Sequence, residues 1–380
     1  MQSPQSTESN LSPLVPAYAS ILELAPYQTG KPVEELTREY GVSDVVKLAS
    51  NENPVGCSPK VTLAITEQLG QLARYPDGNG YYLKQALADF NDVNVEQITL
   101  GNGSDDLLDI LARSFVGAGD AIVYSEYAFV VYSMLAKMQG AMDVEVPAQR
   151  FAHDLKAMSQ AVQDNPNTKI VFISNPNNPT GTLLSHEELR AFVASVPSSV
   201  LVVLDEAYIE YSPESNNRVL IDEFDNVVIV RTFSKAYGLA GLRVGYALSS
   251  VAVAELLNRI RQPFNVSRIG LAAAAAALSD QDFIERTRLM NDEQMRWMEK
   301  QLDALGLGFI KSHANFIMVE IKVEMEDITA TSIHEALLEQ GVILRSLAAY
   351  GLPNWLRITV GLAEDNLRLI DTLRSILTED

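Results

Sequence analysis

A lysine lies just beyond an apolar run in Asn226-Val-Val-Ile-Val-Arg231-Thr-Phe-Ser-Lys235, and a glycine-rich stretch through Gly238, Gly241 and Gly245 follows it. The run reads as a buried strand, which puts Lys235 in a loop at its end. An amine in that place packs poorly but can bond covalently to an aldehyde. Other apolar runs end in the same way. Ile98-Thr-Leu100 runs into Gly101-Asn-Gly103-Ser104-Asp105, Lys169 to Ser174 into a turn carrying Asn178, and Val200 to Leu204 into Asp205-Glu-Ala-Tyr208. Phe129 follows a further run, Ala121 to Tyr124. Taken singly, each has an ordinary structural reading: Asp205 as a helix N-cap, the asparagine and glycine segments as turns, Phe129 as core and Lys235 as a solvated charge. Taken together they fall on one edge, and ligands of open parallel sheets bind beyond the carboxyl ends of the strands.

The chemistry that needs this set is that of pyridoxal 5′-phosphate, which requires an amine for its aldehyde, a carboxylate for its ring nitrogen and a cradle for its phosphate. Lys235 supplies the amine. Asp205 can keep the ring nitrogen protonated, since an opposite charge in contact shifts a pKa by about 1–3 units. Gly103, Ser104 and Asp105 open a helix whose first N–H groups and dipole suit an anion. Arg243 can add a charge-assisted contact to the same anion. No Walker-type or dinucleotide glycine signature competes with this reading.

The elements that must position these residues follow a strand–loop–helix rhythm. Continuous apolar strands alternating with helices predict an α/β fold with a mostly parallel sheet covered on both faces. Helices are expected over Val61 to Ala73 and Leu83 to Phe90, with a turn at Tyr75-Pro-Asp-Gly-Asn-Gly80 between them. After Leu278 the pattern changes, with strands at Phe316 to Ile321 and Leu356 to Val360. The division this predicts is an N-terminal arm over residues 1–25, a large cofactor-binding α/β domain over 51–274, and a smaller α+β domain from 26–50 with 275–380. A chain of 380 residues is long enough for two such cores.

A net charge of −20, from 29 basic against 49 acidic residues, argues against nucleic acid or an anionic membrane surface as partner. The four histidines are scattered without metal-ligand spacing, so no metal is expected. A single cysteine, Cys57, fits a reducing compartment such as the cytoplasm. The polar first residues lack the pattern of a signal peptide, and the alanine-rich run Leu271 to Leu278 reads as a close-packed helix too short to span a bilayer.

From about Pro26 onward the chain resembles the fold type I pyridoxal-phosphate enzymes, and among them the histidinol-phosphate aminotransferases. The motifs that carry the resemblance are Ser50-Asn-Glu-Asn-Pro54, Arg74-Tyr-Pro-Asp77, Gly101-Asn-Gly-Ser-Asp105, Pro176-Asn-Asn-Pro-Thr-Gly181, Asp205-Glu-Ala-Tyr208, Arg231-Thr-Phe-Ser-Lys235 and Leu356-Arg-Ile-Thr-Val-Gly361. Cys57 stands where proline is common, and Asp106 where glutamate is common. By this resemblance Lys235, Asp205 and Tyr208 form the catalytic set. Asn178 and Tyr208 would bind the cofactor's phenolic oxygen, Phe129 would stack on its ring, and Thr232 and Ser234 would join Arg243 at the phosphate. Tyr75 would reach that phosphate from a neighbouring subunit, making a homodimer with shared active sites. Arg357 would receive the α-carboxylate of glutamate, while Arg345 and Tyr27 would bind the substrate phosphate. The implied reaction exchanges an amino group between L-histidinol phosphate and 2-oxoglutarate. An aromatic-amino-acid aminotransferase is the alternative of the same fold, a phosphothreonine decarboxylase a more distant one. A cofactor-sensing regulator would need a DNA-binding domain before the fold, which the roughly 25 mostly polar residues ahead of Pro26 and the acidic charge do not lead us to expect.

Overall fold

The apolar runs of the first half form one seven-stranded sheet. Its order is Ile98–Gly101, Gly245–Ser249, Val227–Thr232, Leu201–Asp205, Thr168–Ser174, Ala121–Ser125 and Met142–Val146. This is a computed structural model, and it describes residues 18–22, 24–26, 30–213, 217–321 and 329–378. All neighbours are parallel except Gly245–Ser249, which runs against both strands beside it. Alternate residues of each strand enter different cores. Val171, Ile173, Val202 and Leu204 pack on one face, while Ile170, Phe172, Leu201 and Val203 pack on the other. That two-sided burial is why the strands read as continuous apolar runs rather than alternating ones.

A second, four-stranded antiparallel sheet has the order Arg345–Ser346, Trp355–Thr359, Phe316–Glu320 and Gly308–Ile310. Its inner residues Ile317, Val319, Leu356 and Ile358 pack on Met298 and Leu302 of the helix Gln281–Ala304 and on Leu369 and Leu373 of Ala363–Thr378. Near the N-terminus, Val46–Lys47 pairs in parallel with Val342–Ile343. The segment 48–51 then crosses from this sheet to the large one.

The helix expected over Val61 to Ala73 begins earlier and ends sooner, at Pro59–Gln68. Ser58 accepts a hydrogen bond from the Lys60 N–H and Pro59 takes the first helical position, a strong start signal. Leu69–Gln71 tightens into a 3₁₀ turn around Gly70. The alanine-rich segment lies in a helix, Arg268–Leu278. Among the described residues no helix is long and apolar enough to cross a membrane.

Arg231, within the lysine motif, has a structural role. Its Nε donates to Glu206 Oε2 at 2.8 Å and its Nη1 to Asn91 Oδ1 at 3.1 Å, and Asn217 Nδ2 donates to the second Glu206 oxygen at 2.8 Å. Glu206 is fully buried and Arg231 nearly so. Removing one partner of a buried ion pair costs about 3–5 kcal/mol, because the other charge stays desolvated. Arg231→Ala is expected to lose about that much in urea unfolding, and a joint Arg231→Met, Glu206→Leu exchange to recover most of it.

Candidate active site

The strand ends on the carboxyl side meet at one level. Ser174 lies opposite Asp205, Asp205 opposite Val230, and Gly245 is flanked by Thr232 and Gly101. Beyond them is a cavity of about 240 Å³ lined from both sheets and the crossing segment. Ser104, Asp105, Phe129, Asn178, Asp205, Tyr208, Thr232, Ser234, Lys235 and Arg243 line it from the large sheet, and Arg345 and Arg357 from the small one.

Lys235 reaches inward, with Nζ donating to the Ser50 carbonyl at 3.2 Å and lying 5.6 Å from the Tyr208 ring centre. Burial, then the Arg357 charge, lowers its pKa from 10.5 to about 8. A large part of the amine is therefore neutral, and nucleophilic, near pH 8. Asp205 is buried at the end of its strand, and burial raises its carboxyl from 3.8 to about 6. Two donors oppose that rise: the Tyr132 hydroxyl at 2.8 Å from Oδ2 and the Ala207 N–H at 3.2 Å from Oδ1. Sequence reasoning missed Tyr132. Its only signal was position, three residues after Phe129 and in the first turn of the helix that starts at Val131.

At the other end of the cavity, Arg243 Nη1 donates to Ser234 Oγ at 3.0 Å, and Thr232 Oγ1 donates to the same oxygen at 3.0 Å. Arg243 Nη2 is 3.4 Å from Asp105 Oδ2. The helix Ser104–Phe115 opens here, capped by Gly103 at φ 87°. A Cβ on Gly103 would stand 2.4 Å from Arg243 Nη2, so only glycine keeps this space open. Asp106 braces the loop from behind by accepting from the Asn102 N–H at 2.8 Å and from Asn265 Nδ2 at 2.9 Å. Gly245 has its own constraint, since a Cβ there would meet Ser104 N at 2.7 Å.

Arg357 spans the two sheets. It donates to Asn178 Oδ1 through Nη1 and to the Ala49 carbonyl at 2.8 Å through Nη2, while its Nε is buried without a partner among the described residues. With Oδ1 engaged, the Asn178 amide presents its N–H₂ to other acceptors. Arg345 stands directly opposite Arg357 in the strand pairing. Tyr75 lies elsewhere: it is 78% exposed and stacks on Phe264 at 4.7 Å, outside the cavity of its own chain. Tyr27 lies outside the described residues. Among the described residues no acidic, histidine or cysteine cluster could hold a metal.

This residue set fits pyridoxal 5′-phosphate. The glycine cradle with Arg243, Thr232 and Ser234 suits a phosphate, the buried carboxylate suits a protonated ring nitrogen, and the amine of lowered pKa suits an aldehyde.

The class I and II aminotransferase family model matches residues 43–373. The histidinol-phosphate aminotransferase 1 of Psychrobacter arcticus is 87% identical over 380 residues, 100% of both chains. The histidinol-phosphate aminotransferase 2 of Pseudomonas aeruginosa is 49% identical over 372 residues, covering 96% of this chain and 98% of that one. Among solved structures, the histidinol-phosphate aminotransferase from Sinorhizobium meliloti in complex with pyridoxal-5′-phosphate superposes with a TM-score of 0.86 at 31% identity, over 96% of this chain and 100% of that one. The chain belongs to the class I and II aminotransferase family, among its histidinol-phosphate aminotransferases.

Proposed function

We propose that the protein is a pyridoxal-phosphate-dependent aminotransferase that moves the amino group of L-histidinol phosphate to 2-oxoglutarate, yielding imidazole-acetol phosphate and L-glutamate, in histidine biosynthesis. The observation that carries the substrate is the facing pair Arg345 and Arg357, both lining the cavity. Glutamate needs an arginine for its α-carboxylate, and a phosphorylated amine needs one for its phosphate. Histidinol phosphate brings a phosphate for Arg345, whereas phenylalanine brings no second anionic group.

In this assignment the cofactor supplies an aldehyde and an electron-withdrawing ring, and the protein does the rest. Lys235 would hold the cofactor at its aldehyde and, once the substrate amine has taken its place, would carry a proton to and from the substrate carbon. Asp205 holds the ring nitrogen, Asn178 and Tyr208 the phenolic oxygen, and Phe129 the ring face. The N–H groups of Gly103, Ser104 and Asp105 hold the phosphate with Thr232, Ser234 and Arg243. Tyr27 joins Arg345 at the substrate phosphate.

The proposal includes a cytoplasmic homodimer. Leu63, Leu69, Leu72, Tyr75 and Tyr82 are all more than half exposed along one stretch, an apolar surface that favours a protein contact. There Tyr75 would reach the neighbouring subunit's phosphate site.

Arg345→Ala tests the substrate. It is expected to lower kcat/KM for histidinol phosphate by about 10–100-fold, as loss of one charge-assisted hydrogen bond implies, and to leave the value for phenylalanine nearly unchanged. Equal losses for both would remove Arg345 from the phosphate.

A further inference from the structure

Asn51 sits in the crossing segment, buried, with a left-handed backbone at φ 56°. Asparagine tolerates that conformation better than most residues. Four hydrogen bonds surround it. Its N–H donates to Thr359 Oγ1 at 2.9 Å, the Thr359 hydroxyl to Asn51 Oδ1 at 3.1 Å, Asn51 Nδ2 to Tyr208 Oη at 2.9 Å, and Asn315 Nδ2 to the Asn51 carbonyl at 3.0 Å.

The direction of each bond follows from the one before it. A backbone N–H can only donate, so Thr359 Oγ1 accepts there and must send its own proton elsewhere. Among the described residues the acceptor within its reach is the Asn51 side chain. Turning the amide over would place N–H₂ against Thr359 and leave a buried hydroxyl proton with nothing to accept it, a loss comparable to a missing hydrogen bond. Oδ1 therefore faces Thr359 and Nδ2 faces Tyr208. Tyr208 Oη, accepting from Asn51, must aim its own proton away from Asn51, and both residues line the cavity. Burial raises the Tyr208 pKa, so the hydroxyl keeps its proton.

We propose that Asn51, locked by Thr359, is a positioning residue that fixes the polarity of Tyr208, compelling its hydroxyl to donate into the cavity toward an anionic ligand oxygen. The inference rests on assigning Tyr208 to the cofactor's phenolic oxygen and adds how its proton is aimed. It also ties the two sheets together, because Thr359 lies on the same strand as Arg357, two residues on. The charged groups acting on the Tyr208 hydroxyl are Arg357, Asp205 and Asp105, with Lys235 over its ring. None of them changes in the variants below.

The test is the pH midpoint of the visible absorbance of the bound cofactor in the purified holoenzyme. A donor at the phenolic oxygen favours its anionic form, so losing the donor raises the midpoint. Tyr208→Phe is expected to raise it by about one pH unit. Asn51→Asp replaces the donor that faces Tyr208 with an acceptor and draws the hydroxyl proton toward itself. Its added charge also raises the midpoint directly. The part due to Tyr208 is the amount by which the Asn51→Asp shift in the native background exceeds that in the Tyr208→Phe background, expected to be about one unit. Thr359→Val frees the amide to turn without adding charge and should raise the midpoint in the same direction, with Thr359→Ser restoring it. Equal Asn51→Asp shifts in both backgrounds, or an unmoved midpoint in Thr359→Val, overturns the inference. An unmoved midpoint in Tyr208→Phe alone would instead overturn the placement of Tyr208.

Discussion

Lys235→Ala is expected to reduce kcat by about 10⁴-fold, the upper end of what a positioned proton-transfer group contributes, while the folded structure persists. The change deletes an amine whose one hydrogen bond among the described residues is to the Ser50 carbonyl. Burial already makes that amine easier to deprotonate, with its pKa lowered to about 8, so its loss removes a desolvated group rather than a stabilising contact. Thermal unfolding should therefore change little. A phosphate-end mutant such as Arg243→Ala acts on binding, and raising cofactor concentration should offset much of its defect. No cofactor concentration should restore Lys235→Ala. Steady-state turnover at rising cofactor concentration checks both statements.

Asp205→Asn is expected to lower activity and raise the stability of the cofactor-free protein. An aspartate in contact stabilises a protonated ring nitrogen by about 1–3 pK units, so removing its charge should lower kcat by roughly 10–10³-fold. The stability effect has the opposite sign. Burial raises the folded carboxyl from 3.8 to about 6, so the folded state favours the protonated form. The stability linked to this group is intact below pH 4 and is lost as pH rises through 6. The difference is worth about 3 kcal/mol at most. Cofactor-free Asp205→Asn should then be more stable than the native protein at pH 8, by up to that amount, and equal to it near pH 4. Urea unfolding at the two values decides the point: a native protein as stable as the variant at pH 8 would mean that Asp205 carries no stored cost. A carboxylate kept charged in a buried site at the expense of stability is expected of a binding group rather than a packing group.

Much of this site was legible because its residues contradict their surroundings. Lys235, Asp205 and Asn178 are polar residues at the ends of apolar runs, and the sheet brings those ends to one level. Gly103 and Gly245 were visible as glycines, but the reason they must be glycine is tertiary: Arg243 and Ser104 N occupy the space of a side chain. Two strands of the seven-stranded sheet were not legible. Met142–Val146 lies at the sheet edge with mostly exposed side chains, so it lacks an apolar run. Gly245–Ser249 follows so closely on the glycine-rich loop that its start reads as more loop, and its reversed direction depends on pairing with Ile98–Gly101. Tyr132, and the role of Asn51, were hidden for a different reason. They act through Asp205 and Tyr208, and hydrogen bonds between residues 73 and 157 positions apart leave no local pattern.

The most direct test of the account is to reduce the holoenzyme with borohydride, digest it, and locate the cofactor mass by peptide mass spectrometry. One stable adduct per chain is expected, on the peptide carrying Lys235. An adduct on another lysine, or cofactor released whole from the reduced protein, would contradict it.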